Sequence, residues 1–335
     1  PPRSTPKPSS AASDVYKRQL SGCTGGFFFG WRKIMNNKIT LLDGAMGTQI
    51  RARGYEVPSH HSSIWSAQAL MDNPDIIKEI HKDYISAGAE IITTNNYAVT
   101  HNLLERENIG HRLEELTSLS IDIAQEAKKE SGKNIKIAAS LPPLDTSYRP
   151  DLVGDSESIK KKYKEIVNIV KHRVDLIIIE TMSSSSEAFG ALEACVGADI
   201  EVWLGYTLQG IRANTLPSGE NLKDAINKVK HFDIGAYIVN CGSANITTEA
   251  IKLISKEIDK PYGGYANSVN VNLITDGDDE VDNAENLQVE NQQLINAIDY
   301  SMAAKDWIDN GATIVGGCCG TSPEHIKKIR DLINN

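Results

Sequence analysis

Two adjacent cysteines, Cys318 and Cys319, stand inside Ile314-Val-Gly-Gly-Cys-Cys-Gly-Thr321, between glycines and at the end of a β-branched apolar run. Packing alone does not explain that pattern. A third cysteine, Cys241, closes a similar run, Ala236-Tyr-Ile-Val-Asn-Cys-Gly242. Three thiolates at strand ends can hold a Zn²⁺ and leave its fourth position to a substrate, an arrangement suited to chemistry on a thiol. The plain alternative is three buried, unmetallated cysteines, since free cysteine is common in cores. Cys195, beside Ala191, Leu192 and Ala194 in a helical run, reads as such a core thiol.

Two acids stand at comparable places. Glu180 ends the apolar run Asp175-Leu-Ile-Ile-Ile-Glu180 and reads as a rim ligand for a cationic group, or as a salt-bridged structural carboxylate. Asp43 opens Asp43-Gly-Ala-Met-Gly-Thr48, a strand end whose following backbone N–H groups can cradle a carboxylate, unless it is an ordinary turn.

The elements that must position these residues alternate along the chain. Strand-like runs begin at Ile39, Glu90, Ile135, Asp175, Glu201, Ala236, Tyr262 and Thr313. Helical runs follow at about 73–88, 112–131, 158–173, 185–197, 221–232, 247–258, 292–311 and 322–333. The first helix carries Asn73-Pro74 at its start, Gly88 at its end and Ile76, Ile77, Ile80, Tyr84 and Ile85 on one face. Eight such units imply an α/β fold of the TIM (β/α)8 barrel class. A doubly wound open sheet needs fewer units and usually shows a glycine-rich phosphate loop, which is not found. In a barrel, residues past the strand C-termini line one mouth. Here those are Asp43, Asn95 to Tyr97, Glu180, Thr207, Cys241, Asn267, Cys318 and Cys319.

The first residues read as foreign to the fold. Ser9 to Gln19 is the in-frame translation of a transposase-type sequencing adaptor, and Pro1-Pro-Arg-Ser-Thr5 matches the attached flow-cell primer. Residues 1–34 are therefore expected to be a non-native, disordered extension, with the barrel over residues 35–335 and a natural start at Met35. Residues 1–34 hold six bases and one acid. Without them the chain has 29 bases against 43 acids, a net charge of −14. That balance argues against nucleic acid or an anionic membrane as partner. No apolar run approaches the ~18 residues of a membrane span. The cysteines remaining, at 195, 241, 318 and 319, read as reduced thiols of a cytoplasmic protein and not as a disulfide framework.

Taken together, these blocks resemble the homocysteine S-methyltransferases, which are zinc-dependent barrels. The resemblance covers Lys38 to Ile333. It rests on Leu42-Asp-Gly-Ala-Met-Gly-Thr48, Thr93-Thr-Asn-Asn-Tyr97, Glu180-Thr181 with the serines that follow, Val239-Asn-Cys-Gly242 and, most specifically, Gly316-Gly-Cys-Cys-Gly-Thr321. It implies Cys241, Cys318 and Cys319 as Zn²⁺ ligands, and Asp43 and Glu180 on the amino group of L-homocysteine. Backbone N–H groups of Gly44, Ala45 and Met46 would lie near its carboxylate, and Tyr97 near the metal or the donor methyl. One block departs: relatives often carry Tyr-Pro-Asn-Ser-Gly where this chain has Tyr265-Ala-Asn-Ser-Val269. Asn267 matches as a substrate-side residue, but the shape of that loop is open.

The resemblance implies methyl transfer from a small cationic donor, of the S-methylmethionine, S-adenosylmethionine or betaine class, to give methionine. No stretch resembles a cobalamin- or folate-binding module. Pro261 through Ala304 holds no Lys, Arg or His but eight acids, so it either favours a cationic donor or is a solvated loop. Two rival functions stay open: a homocysteine-activating subunit served by a separate corrinoid protein, and a non-catalytic zinc or thiol-binding barrel. A homo-oligomer is compatible with either.

Overall fold

Eight strands, all parallel, run in sequence around a barrel: β1 (Thr40–Leu41), β2 (Ile91–Thr93), β3 (Lys136–Leu141), β4 (Leu176–Met182), β5 (Glu201–Tyr206), β6 (Ala236–Ser243), β7 (Tyr262–Asn267) and β8 (Ile314–Gly317). This computed structural model describes residues 38–59, 63–270 and 293–334. Residues from Ile39 onward form one compact unit. The reading of residues 1–34 as an extension, and most of the acidic stretch after β7, fall outside the described residues.

Every strand pairs with its sequence neighbours, and β8 pairs with β1 through Thr40↔Ile314 and Leu41↔Val315. The last seam, β1 to β2, is one parallel bridge at Leu42 and Ile91. Its hydrogen bonds run from Glu90 N to Leu41 O (2.7 Å) and from Asp43 N to Ile91 O (3.1 Å). The fold class expected from the alternation is the one observed.

The barrel helices are α1 (Pro74–Ala87), α2 (Leu113–Ser131), α3 (Ser156–Val170), α4 (Ser185–Cys195), α5 (Leu222–Val229), α6 (Ala244–Ile254), α7 (Ala297–Asp309) and α8 (Pro323–Asn334). Their limits follow local chemistry. Pro74 occupies the first turn of α1, and Gly88 ends it with φ 109°. Asp155, Ser184, Asn221 and Asn296 accept backbone N–H groups at the starts of α3, α4, α5 and α7. The Asn296 cap places the start of α7 later than the apolar pattern suggests, and α6 begins earlier, at Ala244, directly after β6.

Burial on both faces explains why the strands read as continuous apolar runs. Ile177, Ile179, Val239 and Val315 face the helices. Leu42, Ile91, Ala138, Leu176, Ile178, Trp203, Ala236, Ile238, Tyr265 and Ile314 fill the barrel interior, with Cys318 packed against them. Above that plug the inward positions turn polar: Ser140, Glu180 and Asn240 are all buried. Among the described residues, no helix is long and apolar enough to cross a membrane.

Candidate active site and metal centre

Cys241 reaches the mouth through a break in strand regularity. Strict alternation would aim it at the helices, because Ile238 faces the interior and Val239 faces outward. Instead β6 holds one extra residue against β7 between Asn240 and Ser243, and Cys241 adopts a left-handed backbone, φ 60°. Such a bulge re-aims a side chain, and here it turns the thiol inward. β4 repeats the device. It holds one extra residue against β5 between Ile179 and Met182, and Thr181 has φ 61°. A left-handed conformation costs a non-glycine residue roughly 1–2 kcal/mol, more for β-branched threonine. These bulges are why β4 and β6 continue past Glu180 and Cys241, where the sequence pattern alone would end them.

The three thiols converge. Cys241 Sγ lies 3.0 Å from Cys318 Sγ, and the sulfurs of Cys241, Cys318 and Cys319 all fall within 4.8 Å of one another. A tetrahedral ion with ~2.3 Å bonds would need its sulfurs about 3.8 Å apart, so the three fit one such ion with small side-chain shifts. Three crowded thiols cannot all ionise without a cation. Hydrogen bonds from Cys241 and Cys318 hold the Cys319 thiol well below its ordinary range. Hydrogen bonds with Cys241 and then Cys319, together with burial, push Cys318 well up.

Backbone bonds lock these cysteines in place. Cys318 N donates to Ala266 O (2.8 Å), and Ser268 N to Cys319 O (2.9 Å). Asn267 sits between them: its Nδ2 donates to Cys241 O (2.9 Å) and its Oδ1 accepts Cys319 N (3.1 Å). The Asn267 amide is thus committed to the two cysteine-bearing segments. Thr321 ties in the β1 loop. Its Oγ1 accepts Ala45 N (3.2 Å) and donates to Cys318 O (2.7 Å), while Tyr84 donates to Ala45 O (2.7 Å). Gly44, Ala45 and Met46 therefore stand beside the cysteine loop, with the Ala45 amide already engaged.

Two carboxyls face the same space. Glu180 accepts Ser140 Oγ at Oε1 (2.5 Å) and the Tyr265 hydroxyl at Oε2 (2.9 Å). Asp43 accepts Thr93 N (2.8 Å) and Thr93 Oγ1 (3.3 Å). Burial pushes each up to about 7, and for Asp43 the nearby Glu180 adds to the rise. Neither acid has a salt bridge to a described basic side chain, which removes the structural ion-pair reading of Glu180.

Tyr97 shares a 2.8 Å hydrogen bond with Ser147. Burial, and next the Cys241 charge, raise its hydroxyl far above the ordinary tyrosine range. Sequence reasoning missed its neighbour Tyr148. That side chain, on the loop after β3 with φ 63°, donates to Cys241 O (3.1 Å) and feels the charge of all three thiols. Thr93, Ser140, Thr181, Asn240, Tyr265 and Thr321 were missed as well. All but Ser140 stand in the sequence blocks quoted above, which could have marked them; Ser140 had only its place at a strand end. Cys195 is buried in the outer core, away from the thiol cluster.

Fold and site together define a (β/α)8 barrel with a metal-capable thiol cluster and two buried acids at its C-terminal mouth. Residues 40–333 match the homocysteine S-methyltransferase family, and the chain belongs to it. Homocysteine S-methyltransferase 1 of Brassica oleracea var. italica is 27% identical over 317 residues, 87% of this chain and 93% of that protein. Homocysteine S-methyltransferase YbgG of Bacillus subtilis is 26% identical, over 87% of this chain and 93% of its own. The crystal structure of the metallated homocysteine methyltransferase MmuM from Escherichia coli superposes with a TM-score of 0.73 at 23% identity, covering 90% of this chain and 98% of that one. The protein is a methyltransferase of this family.

Proposed function

We propose that the enzyme transfers a methyl group from a small cationic donor to the thiol of L-homocysteine, giving methionine, with Zn²⁺ held by Cys241, Cys318 and Cys319. The observation that carries this reading is the meeting of three thiols with two buried, hydroxyl-bonded acids at one mouth. A free thiol, with a pKa of about 8.5, is mostly protonated at neutral pH; Zn²⁺ bound there would hold the substrate sulfur as thiolate.

The chain's own groups then fix the geometry. Glu180 and Asp43 receive the substrate ammonium, whose charge favours their ionised forms against the burial that opposes them. The amides of Gly44 and Met46 face the substrate carboxylate. Asn267 acts through the ligand loops, since both ends of its amide are committed. Tyr97 borders the donor side with Ser147. The substrate sulfur forms its bond to the methyl carbon as the donor's carbon–sulfur or carbon–nitrogen bond breaks. The donor leaves neutral, carrying the bonding pair, so no enzyme acid is required. Sulfonium donors of the S-methylmethionine or S-adenosylmethionine class should outpace betaine, because a thioether is the better leaving group.

The test is a donor panel with zinc-loaded protein and homocysteine, following methionine by mass. Sulfonium compounds ahead of betaine, with methylfolate inactive, is the expected result. Turnover with methylfolate alone, or none until a corrinoid protein is added, would overturn it.

A further inference from the structure

The two bulges are joined by a single side chain. Asn240, fully buried on β6, accepts Thr181 N at Oδ1 (2.9 Å) and donates through Nδ2 to Thr181 Oγ1 (2.8 Å) on β4. The strands concerned are not adjacent: β5 lies between them. The bridge therefore spans the barrel interior above β5, and Gly205 of β5 makes room for it. A Cβ at Gly205 would stand 2.7 Å from Asn240 Oδ1 and 3.3 Å from Ile179 O. Each end of the bridge meets a left-handed residue. Thr181 follows Glu180 directly, and Cys241 follows Asn240 directly.

The geometry points to Asn240 as a positioning residue that couples the aim of Cys241 in the metal centre to the aim of Glu180 in the amino-group subsite. Three observations carry this. Both peptide segments are held in a conformation their residues rarely adopt, so something must over-determine them. The amide engages the backbone N–H of one bulge from the position next to the other. Each of its two bonds is buried, where a lost partner is not replaced by water. A shift of the bridge then moves the Glu180 carboxylate and the Cys241 sulfur together. It thereby sets the distance between the substrate ammonium and the substrate thiol that a single bound molecule must span. The inference rests on the reading of Glu180 as the ammonium partner and Cys241 as a metal ligand.

Thr181→Val removes the hydroxyl acceptor on β4 and leaves every cysteine and Glu180 in place; Thr181→Ser restores the hydroxyl. Gly205→Ala pushes on the amide from β5. The probe is Co²⁺, whose thiolate charge-transfer absorbance reports the Cys241 strand. Homocysteine and a thiol of the same length without the amino group report the Glu180 strand, each by its perturbation of that absorbance. Thr181→Val and Gly205→Ala should each weaken Co²⁺ binding about tenfold and reduce the preference for the amino-bearing thiol by a similar factor. Thr181→Ser should behave as the parent. Combined with Asn240→Ala, Thr181→Val should add little, because both break one bridge. Thermal melts identify any variant that fails to fold, and Thr181→Ser and Gly205→Ala then carry the comparison. Loss of amino-group preference with Co²⁺ affinity unchanged would separate the two subsites and overturn the coupling, as would additive losses in the double variant. A parent protein that binds Co²⁺ and homocysteine but transfers no methyl group would refute the proposed function and leave this coupling measurable.

Discussion

Replacing Glu180 by glutamine should stabilise the metal-free protein and weaken its grip on homocysteine. Inside the barrel the Glu180 carboxyl stands at about 7 against 4.5 when exposed, chiefly because burial penalises its charge. An acid raised in the fold contributes its full stability below its unfolded value, and that stability is lost as pH rises through the folded value. The window is therefore pH 4.5 to about 7. A difference of that size corresponds to on the order of 3 kcal/mol at pH 8. Glutamine cannot ionise and escapes the penalty, but its N–H₂ end then faces Ser140 Oγ or Tyr265 Oη, whose hydroxyls must turn to accept. A net gain of about 1–3 kcal/mol remains, or roughly 2–5 °C in Tm for a domain of this size. The gain should vanish at pH 4.5. Binding should move the other way: charge-assisted hydrogen bonds of this kind are worth about 1.5–3 kcal/mol, so homocysteine affinity should fall about ten- to a hundredfold. A thiol lacking the amino group should be little affected. Melting curves of chelated protein at pH 4.5 and 8, with calorimetric titrations of both thiols, read all of this. Equal weakening of the two thiols, or an unchanged pH dependence of Tm, would refute the assignment of Glu180 as a desolvated ammonium partner.

Cys241→Ser, Cys318→Ser and Cys319→Ser should each lose most bound zinc by elemental analysis, whereas Cys195→Ser should keep it; full occupancy in Cys318→Ser would sink the ligand assignment. Tyr300→Phe should destabilise the barrel by about 1–3 kcal/mol in urea, because the Tyr300 hydroxyl accepts Ala266 N (3.0 Å) and donates between Ala266 O and Gly316 O (2.8 Å each), stapling β7 to β8 beneath the cysteine loop. An unchanged urea midpoint would show the staple to be idle. A chain beginning at Met35 should match the full chain in Tm and homocysteine affinity; a loss in either would count against the adaptor reading of the N-terminus.

The barrel and the set of side chains gathered at its mouth were legible in the residues. Eight apolar runs separated by amphipathic helices admit few folds, because a parallel strand buried on both faces must be nearly all apolar and needs a covering crossover. Once strand order is fixed, the residue after each strand is at the mouth whatever the loop does, so Cys241, Cys318, Glu180 and Asp43 could be gathered from sequence. Local signals also set most helix limits, as Pro74 and Gly88 do for α1.

The tertiary structure decided how those residues are aimed. Nothing in Thr181 or Cys241 as residue types announces a left-handed backbone, and without the β6 bulge Cys241 would face the helices. The bulges are tied down by Asn240, which reaches Thr181 across 59 residues of sequence, and by Tyr148 and Asn267, which both meet Cys241 O; Thr321 separately closes the cysteine loop onto Ala45 across 276. Hydrogen bonds between groups so distant along the chain leave no periodicity to read. They also tie Asn267 to the cysteine loops, and they draw Tyr148 toward a site its loop position did not suggest. The sequence names the groups that meet at the mouth because hydrophobic patterning is local. Their directions come from buried polar bonds that exist only once the barrel has closed.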